Sequence, residues 1–142
     1  MAKSSVYSFL QTTVTVDGRK ADGFWDGDDS ISVTEGADIG TGLVGADGSS
    51  IFSQSADRSA TIALRLQHTS PVHALLMRKL ARQREGVIEG FPVTIIDRGS
   101  GEGGATDQAF IQQAPEVQKG TAATVREWQL WTGDWRAEIP TA

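Results

Sequence analysis

The chain has no cysteine among its 142 residues. That excludes disulfides, thiolate nucleophiles and thiolate metal sites, and it leaves the fold to be held by its core alone, while saying little about compartment. Nowhere does an apolar run approach the roughly 18 residues needed to span a bilayer. The start, Met1-Ala2-Lys3-Ser4-Ser5, leads into an alternating segment where a signal peptide needs a continuous apolar stretch. The expectation is a protein with no membrane anchor, made in the cytoplasm. Cations are scarce as well: 13 Lys and Arg against 18 Asp and Glu leave a formal charge of −5. Gripping phosphates needs the reverse balance, because affinity for nucleic acid comes largely from counterions displaced by Lys and Arg. A surface that lets DNA pass without holding it should be neutral or acidic.

Catalytic and cofactor signatures are missing too. His68 and His73 flank one junction and do not stand at the helical spacing of three or four that a metal pair uses. Ser55, Ser59 and Ser70 lack the glycine-x-serine-x-glycine elbow of a nucleophile. The carboxylates of Asp26, Asp28 and Asp29 invite calcium, but no glycine at the sixth loop position and no closing glutamate complete the coordination, so a solvated turn is expected. Arg98–Thr106 is glycine-rich, yet it lacks the lysine-serine/threonine ending and following helix of a phosphate loop. Asp57, Asp97 and Glu127 are carboxylates at strand ends, which are commonly just solvated. No metal, cofactor or enzymatic activity is expected.

What is present is a clear strand-to-helix switch. From Thr61 to Gln67, Ile62, Leu64 and Leu66 alternate with Ala63 and Arg65, the period of a strand buried on one face. Thr61, Arg65 and Gln67 form its polar face. At Ser70-Pro71 the period changes: Ser70 can cap a helix and Pro71 can open it without losing a hydrogen bond. Val72, Leu75, Leu76, Met77 and Leu80 then recur at helical spacing, with Arg78, Lys79 and Arg82 outside and the cations towards the C-terminal end. A helix over about 70–84 should pack on a sheet.

Around that switch lie further strands. Val6–Val16 is rich in β-branched and aromatic residues and ends at the turn Asp17-Gly18. Tyr7 and Phe9 share one parity and Val14 and Val16 the other, which places a bulge or register break near Gln11–Thr13. Ile31–Val33, Phe91–Asp97, Ala109–Gln113 and Thr121–Thr132 complete the set. The last is apolar on both faces, Trp128 and Leu130 on one and Val125 and Trp131 on the other, as befits a central strand or one touching a neighbouring molecule. Between Thr34 and Ser50 five glycines stand among small residues with little to pack on their own domain. We expect an extended arm there, with Leu43, Val44, Asp47, Ile51 and Phe52 at its tip and return and Asp47-Gly48 as the turn. A short apolar tail carries Trp135 and Ile139, and with Trp131 it suits docking.

Taken in order, VYSFLQTTVTVDG (6–18), GFWDGDDSISV (23–33), VGADGSS (44–50), SQSADRSATIALRLQHTSP (53–71), FPVTIIDRGSG (91–101) and REWQLWTGDW (126–135) make the whole chain resemble the tail tube proteins of contractile-tailed bacteriophages. The resemblance implies one domain over 1–142, mainly β: a β-sandwich or partly closed β-barrel with one flanking helix and a long glycine-rich arm at 34–50. It further implies self-association into stacked hexameric rings whose lumen conducts genomic DNA without binding it. Tail sheath, baseplate and tail terminator proteins are the implied partners, in a virion assembled in the host cytoplasm. Within the same class stand a tube-initiating baseplate component and a secretion-type tube. In a different class stands a monomeric ligand-binding or enzymatic β-domain, which a pocket with paired ionisable groups would mark.

Overall fold

The computed structural model describes residues 4–141. Ten strands and one helix follow in the order β1 (Thr12–Val16), β2 (Arg19–Lys20), β3 (Ile31–Glu35), β4 (Gly40–Val44), β5 (Ser50–Gln54), β6 (Ala60–Gln67), α1 (Pro71–Arg84), β7 (Phe91–Asp97), β8 (Gly103–Gln113), β9 (Val125–Thr132) and β10 (Arg136–Glu138). Strands β2-β1-β7-β8-β9-β6-β3 form one antiparallel sheet, β10 adds to β8, and β4 and β5 pair only with each other. One parity of β1, β6, β7 and β9 points inward, and in β8 the buried parity switches between Thr106 and Ala109. Ile62, Leu64 and Leu66 of β6 lie beside Leu130, Trp128 and Arg126 of β9, and Val14 and Val16 of β1 beside Ile95 and Val93 of β7. Each fully buried aliphatic side chain stabilises the fold by roughly 1.5–3 kcal/mol.

The sheet curls until its two ends share one core. Val14 and Val16 from one end and Leu64 and Leu66 from the other belong to a single apolar cluster. Ala21–Trp25 stitches the ends together: Ala21 N–H donates to the Val14 carbonyl at 2.7 Å, Gln67 N–H to Gly23 at 2.8 Å, and Trp25 N–H to Arg65 at 2.9 Å. Among the described residues no strand ladder closes the gap, so the architecture is sandwich-like and the sheet stays open, with β2 and β3 at its edges. Strands β9 and β10 keep one register along β8, Thr132 facing Ala109 and Arg136 facing Ala105. They are a single strand interrupted at Gly133–Trp135, where Trp135 N–H turns to the Arg58 carbonyl at 2.9 Å.

Helix α1 covers the core as its sequence predicts. Ser70 Oγ accepts from Val72 N–H at 3.3 Å and itself donates to the Asp22 carbonyl at 2.6 Å, which ties the helix start to the Ala21–Trp25 stitch. Val72, Leu76 and Leu80 are buried, and Met77, on the same predicted stripe, is exposed because it falls on the far shoulder of the helix. Three polar contacts then lock α1 to the sheet. Lys79 Nζ is 2.7 Å from Asp17 Oδ2 and 5.0 Å from the Phe91 ring centre. His73 Nδ1 accepts from Trp128 Nε1–H at 3.0 Å. Gln83 donates to the Ile111 carbonyl at 3.0 Å and accepts from Ile111 N–H at 3.4 Å, where β8 slips register against β9 and its own ladder leaves those groups free.

Three boundaries differ from expectation. The first strand starts at Thr12, because Ser8 caps a single 3-10 turn over Phe9–Gln11; the parity conflict is met by a break at Gln11–Thr12 and not by a bulge. Strand β8 begins at Gly103, six residues earlier than Ala109, so the glycine-rich turn is confined to Arg98–Glu102. Strand β9 begins at Val125, because the Arg126 guanidinium binds the Thr124 hydroxyl at 2.7 Å and the Val125 carbonyl at 3.1 Å and gathers the preceding loop.

Candidate assembly surfaces

The predicted arm is a hairpin. Leu43 pairs with Ile51 and Gly42 with Phe52, and the tip is closed by Gly45 N–H to Ser49 carbonyl at 2.7 Å, Ser49 N–H to Asp47 Oδ1 at 3.0 Å, and Gly48 in the left-handed region at φ 88°. The Ser49 donors hold the Asp47 carboxyl below the usual carboxylate range. Thr34 and Glu35 belong to β3, and the projecting part runs to Gln54. Beyond β3 and β6 the pairing continues through Gly36 N–H to Ser59 carbonyl and Ser55 N–H to Ile39 carbonyl, so the arm prolongs the β3–β6 edge of the sheet. At about 3.3 Å per residue it reaches roughly 30 Å from that edge.

Among the described residues, the large apolar side chains of this hairpin are not covered. Leu43, Val44, Ile51 and Phe52 are 63%, 71%, 62% and 66% exposed. Gly40 lets the Phe52 ring lie flat across the strand; a Cβ there would collide with it.

The outward face of the sheet is the second surface. Thr61, Ala63, Arg65 and Gln67 of β6 stand beside Trp131, Gln129, Glu127 and Val125 of β9, with Phe110 of β8 next to Trp131. Its cation is masked: Arg65 Nη1 lies 2.6 Å from Asp29 Oδ1, and Arg65 Nε lies 4.0 Å from Glu127 Oε2. Nε is buried without a hydrogen bond, so Asp29 carries the pairing. Sequence reasoning left Asp29 in a solvated turn; the β3–β6 pairing, continued by Arg65 N–H to the Ser30 carbonyl at 2.9 Å, places it beside Arg65.

At the C-terminal end the three predicted docking residues separate. Trp131 is 42% exposed on the outward face and Ile139 is 85% exposed, while Trp135 is packed against the core with its ring over Gly104. Val6, Tyr7 and Leu10 of the N-terminal segment are also exposed. Clefts of about 420 Å³ beside Trp131 and about 230 Å³ beside Glu127 are shallow. Among the described residues no three His, Asp or Glu side chains converge as metal ligands. Among them, too, no helix is long and apolar enough to cross a membrane.

This fold is shared with solved structures of contractile injection systems. The sheath/tube terminator of an extracellular contractile injection system, PVC, in its extended state matches with a TM-score of 0.70 at 17% identity, over 97% of this chain and 100% of that one. The tube-terminating cap of the anti-feeding prophage matches at 0.66 and 13%, over 96% and 93%. A chain of the extended PVC sheath–tube complex matches at 0.63 and 17%, over 92% and 89%. No curated protein matches by sequence. The family model described as bacteriophage PhiTE tail tube protein matches residues 4–139, and the chain belongs to that phage tail tube family.

Proposed function

We propose that the chain is the subunit of the inner tube of a contractile phage tail, a single domain that closes into hexameric rings and stacks to form a DNA conduit. The observation that carries this is the β4–β5 arm: an ordered hairpin with four large apolar side chains in water has its burial completed by another molecule. The same holds at the edges β2 and β3, whose free backbone groups are satisfied when neighbouring sheets join edge to edge. Thr61, Arg65 and Gln67 on the outward face suit a lumen or a subunit interface, and Trp131 and Ile139 suit docking at the C-terminal end. A ring of six copies carries about −30 formal charges, six times −5, which repels DNA phosphates wherever it faces the channel. Arg65 fits such a channel because Asp29 masks it.

Sheath, baseplate and terminator proteins are the partners of this assembly, which forms in the host cytoplasm and performs no catalysis. A second reading is a ring that ends the tube, in favour of which stand the closer structural matches to the two terminators. Electron microscopy of the purified protein at high concentration, with and without baseplate, tests both. Stacked rings with an open channel support the tube, isolated rings that bind only tube ends support the terminator, and a monomer that ignores the baseplate overturns both.

A further inference from the structure

Among the described residues Arg126 is the one buried charge. It stands on the inward face of β9 beside Trp128, is 5% exposed, and forms no ion pair. Its Nη1 donates to Thr124 and Val125, and its Nη2 to the Gln118 carbonyl at 3.4 Å. These acceptors take its protons but bring no negative charge, which a buried cation ordinarily requires. The carboxylates next in sequence are engaged elsewhere: Glu127 points outward, and Glu116 Oε1 accepts from the Gln118 amide at 2.9 Å. The neighbours that Arg126 does have are histidines. His73, third residue of α1 and so at the positive end of that helix, bonds Trp128, two residues along the same face; His68 follows β6, where Leu66 is the register partner of Arg126. Because His73 Nδ1 accepts from the indole, the proton of the neutral ring is on Nε2. Burial, then the charges of Arg126 and His68, hold that ring below its ordinary pKa. Arg126 Nε and His73 Nε2 have no acceptor among the described residues, yet the one fully buried side-chain atom without a partner is Arg65 Nε. Both therefore remain within reach of solvent.

We propose that Arg126 and His73, with exposed His68 at the rim, form an oxyanion site at the start of α1, taking a phosphate or carboxylate group on Arg126 Nε–H and His73 Nε2–H. Such a group brings the negative charge that Arg126 lacks among the described residues. Every open group of the site is a donor, so a cation is repelled and a neutral ligand leaves the guanidinium uncompensated. A bound anion ties together the β6–α1 turn, the start of β9 and, through Thr124 and Gln118, the loop that Arg126 gathers. It also reverses the electrostatics at His73, because a negative charge beside the ring favours its protonated form and raises its pKa.

The test is a titration of the folded protein with sodium phosphate near neutral pH, against sodium chloride of equal ionic strength, with the Arg126 and His73 side-chain nitrogens followed by NMR. The expected result is saturable shifts at Arg126 Nε and His73 Nε2, a His73 pKa that moves upward as phosphate binds, and a thermal midpoint that climbs with phosphate and not with chloride. Arg126→Gln should weaken binding about tenfold or more. His68→Gln, at an exposed position, should weaken it about threefold and keeps the test readable if the Arg126 variant does not fold. Sodium acetate separates the two sources of the same chemistry. Saturation of the same nitrogens by acetate assigns a carboxylate, as an acidic side chain of another protein presents, and saturation by phosphate alone assigns the phosphate ion. Shifts no larger with phosphate or acetate than with chloride overturn the site, as does binding that leaves the His73 pKa in place and is indifferent to His68→Gln.

Discussion

Helix α1 and the β4–β5 arm have similar apolar content and opposite fates. The helix puts Val72, Leu76 and Leu80 on one stripe, buries them on its own sheet, and secures the contact with His73, Lys79 and Gln83. The arm spreads Leu43, Val44, Ile51 and Phe52 over two faces and buries none of them. Under the proposed assembly, the difference separates burial that folds the chain from burial that joins it to other copies. It also divides substitutions into those that unfold the subunit and those that leave a folded subunit unable to associate.

The largest expected effect lies on the helix side. Trp128→Ala removes the largest fully buried side chain and orphans the His73 acceptor, and it should cost about 3–5 kcal/mol in chemical denaturation. A smaller loss would mean that α1 is less essential to the core than the arm comparison requires. Gln83→Ala should cost about 1–2 kcal/mol, because Ile111 N–H and carbonyl lose their partner at the register slip. Hydrogen exchange at Ile111 should rise with it; unchanged exchange would show that water replaces the amide.

The His73–Trp128 bond sharpens the comparison through pH. Burial, then the charges of Arg126 and His68, hold the His73 imidazole below its ordinary value of 6.5. The folded state therefore binds fewer protons than the unfolded one, so this contribution is complete above about 6.5 and is lost as pH falls through the lowered folded value. Trp128 fluorescence should change with that loss, and His73→Gln, which keeps an acceptor for the indole, should flatten the pH dependence. The smallest effect is expected on the arm: Phe52→Ser should change subunit stability by no more than about 0.5 kcal/mol. A larger loss would show that the hairpin supports its own domain after all.

Much of this was legible from residue order. The alternation of β6, the Ser70-Pro71 helix start and the two-faced character of β9 all follow from local periodicity. The arm was legible because five glycines and a turn dipeptide stand among small residues with little to pack on their own domain. The long first strand was misplaced because Ser8 capping a turn and a strand with a bulge leave the same parity break. On the candidate surfaces, Leu43, Val44, Ile51 and Phe52 lie exposed on the arm that the glycine-rich stretch predicts, whereas the Asp29 partner of Arg65 was not legible.

Sequence alone determined the elements, because side-chain period and capping chemistry act within a few residues. Tertiary structure decided which strands became neighbours, and with that the masking of Arg65 by Asp29, the Gln83 clasp on Ile111, and the continuity of β9 with β10 across Gly133–Trp135. Those contacts join residues far apart along the chain. Their geometry exists only once the sheet has chosen its order and curled, since a one-residue change of register would turn every side chain to the opposite face.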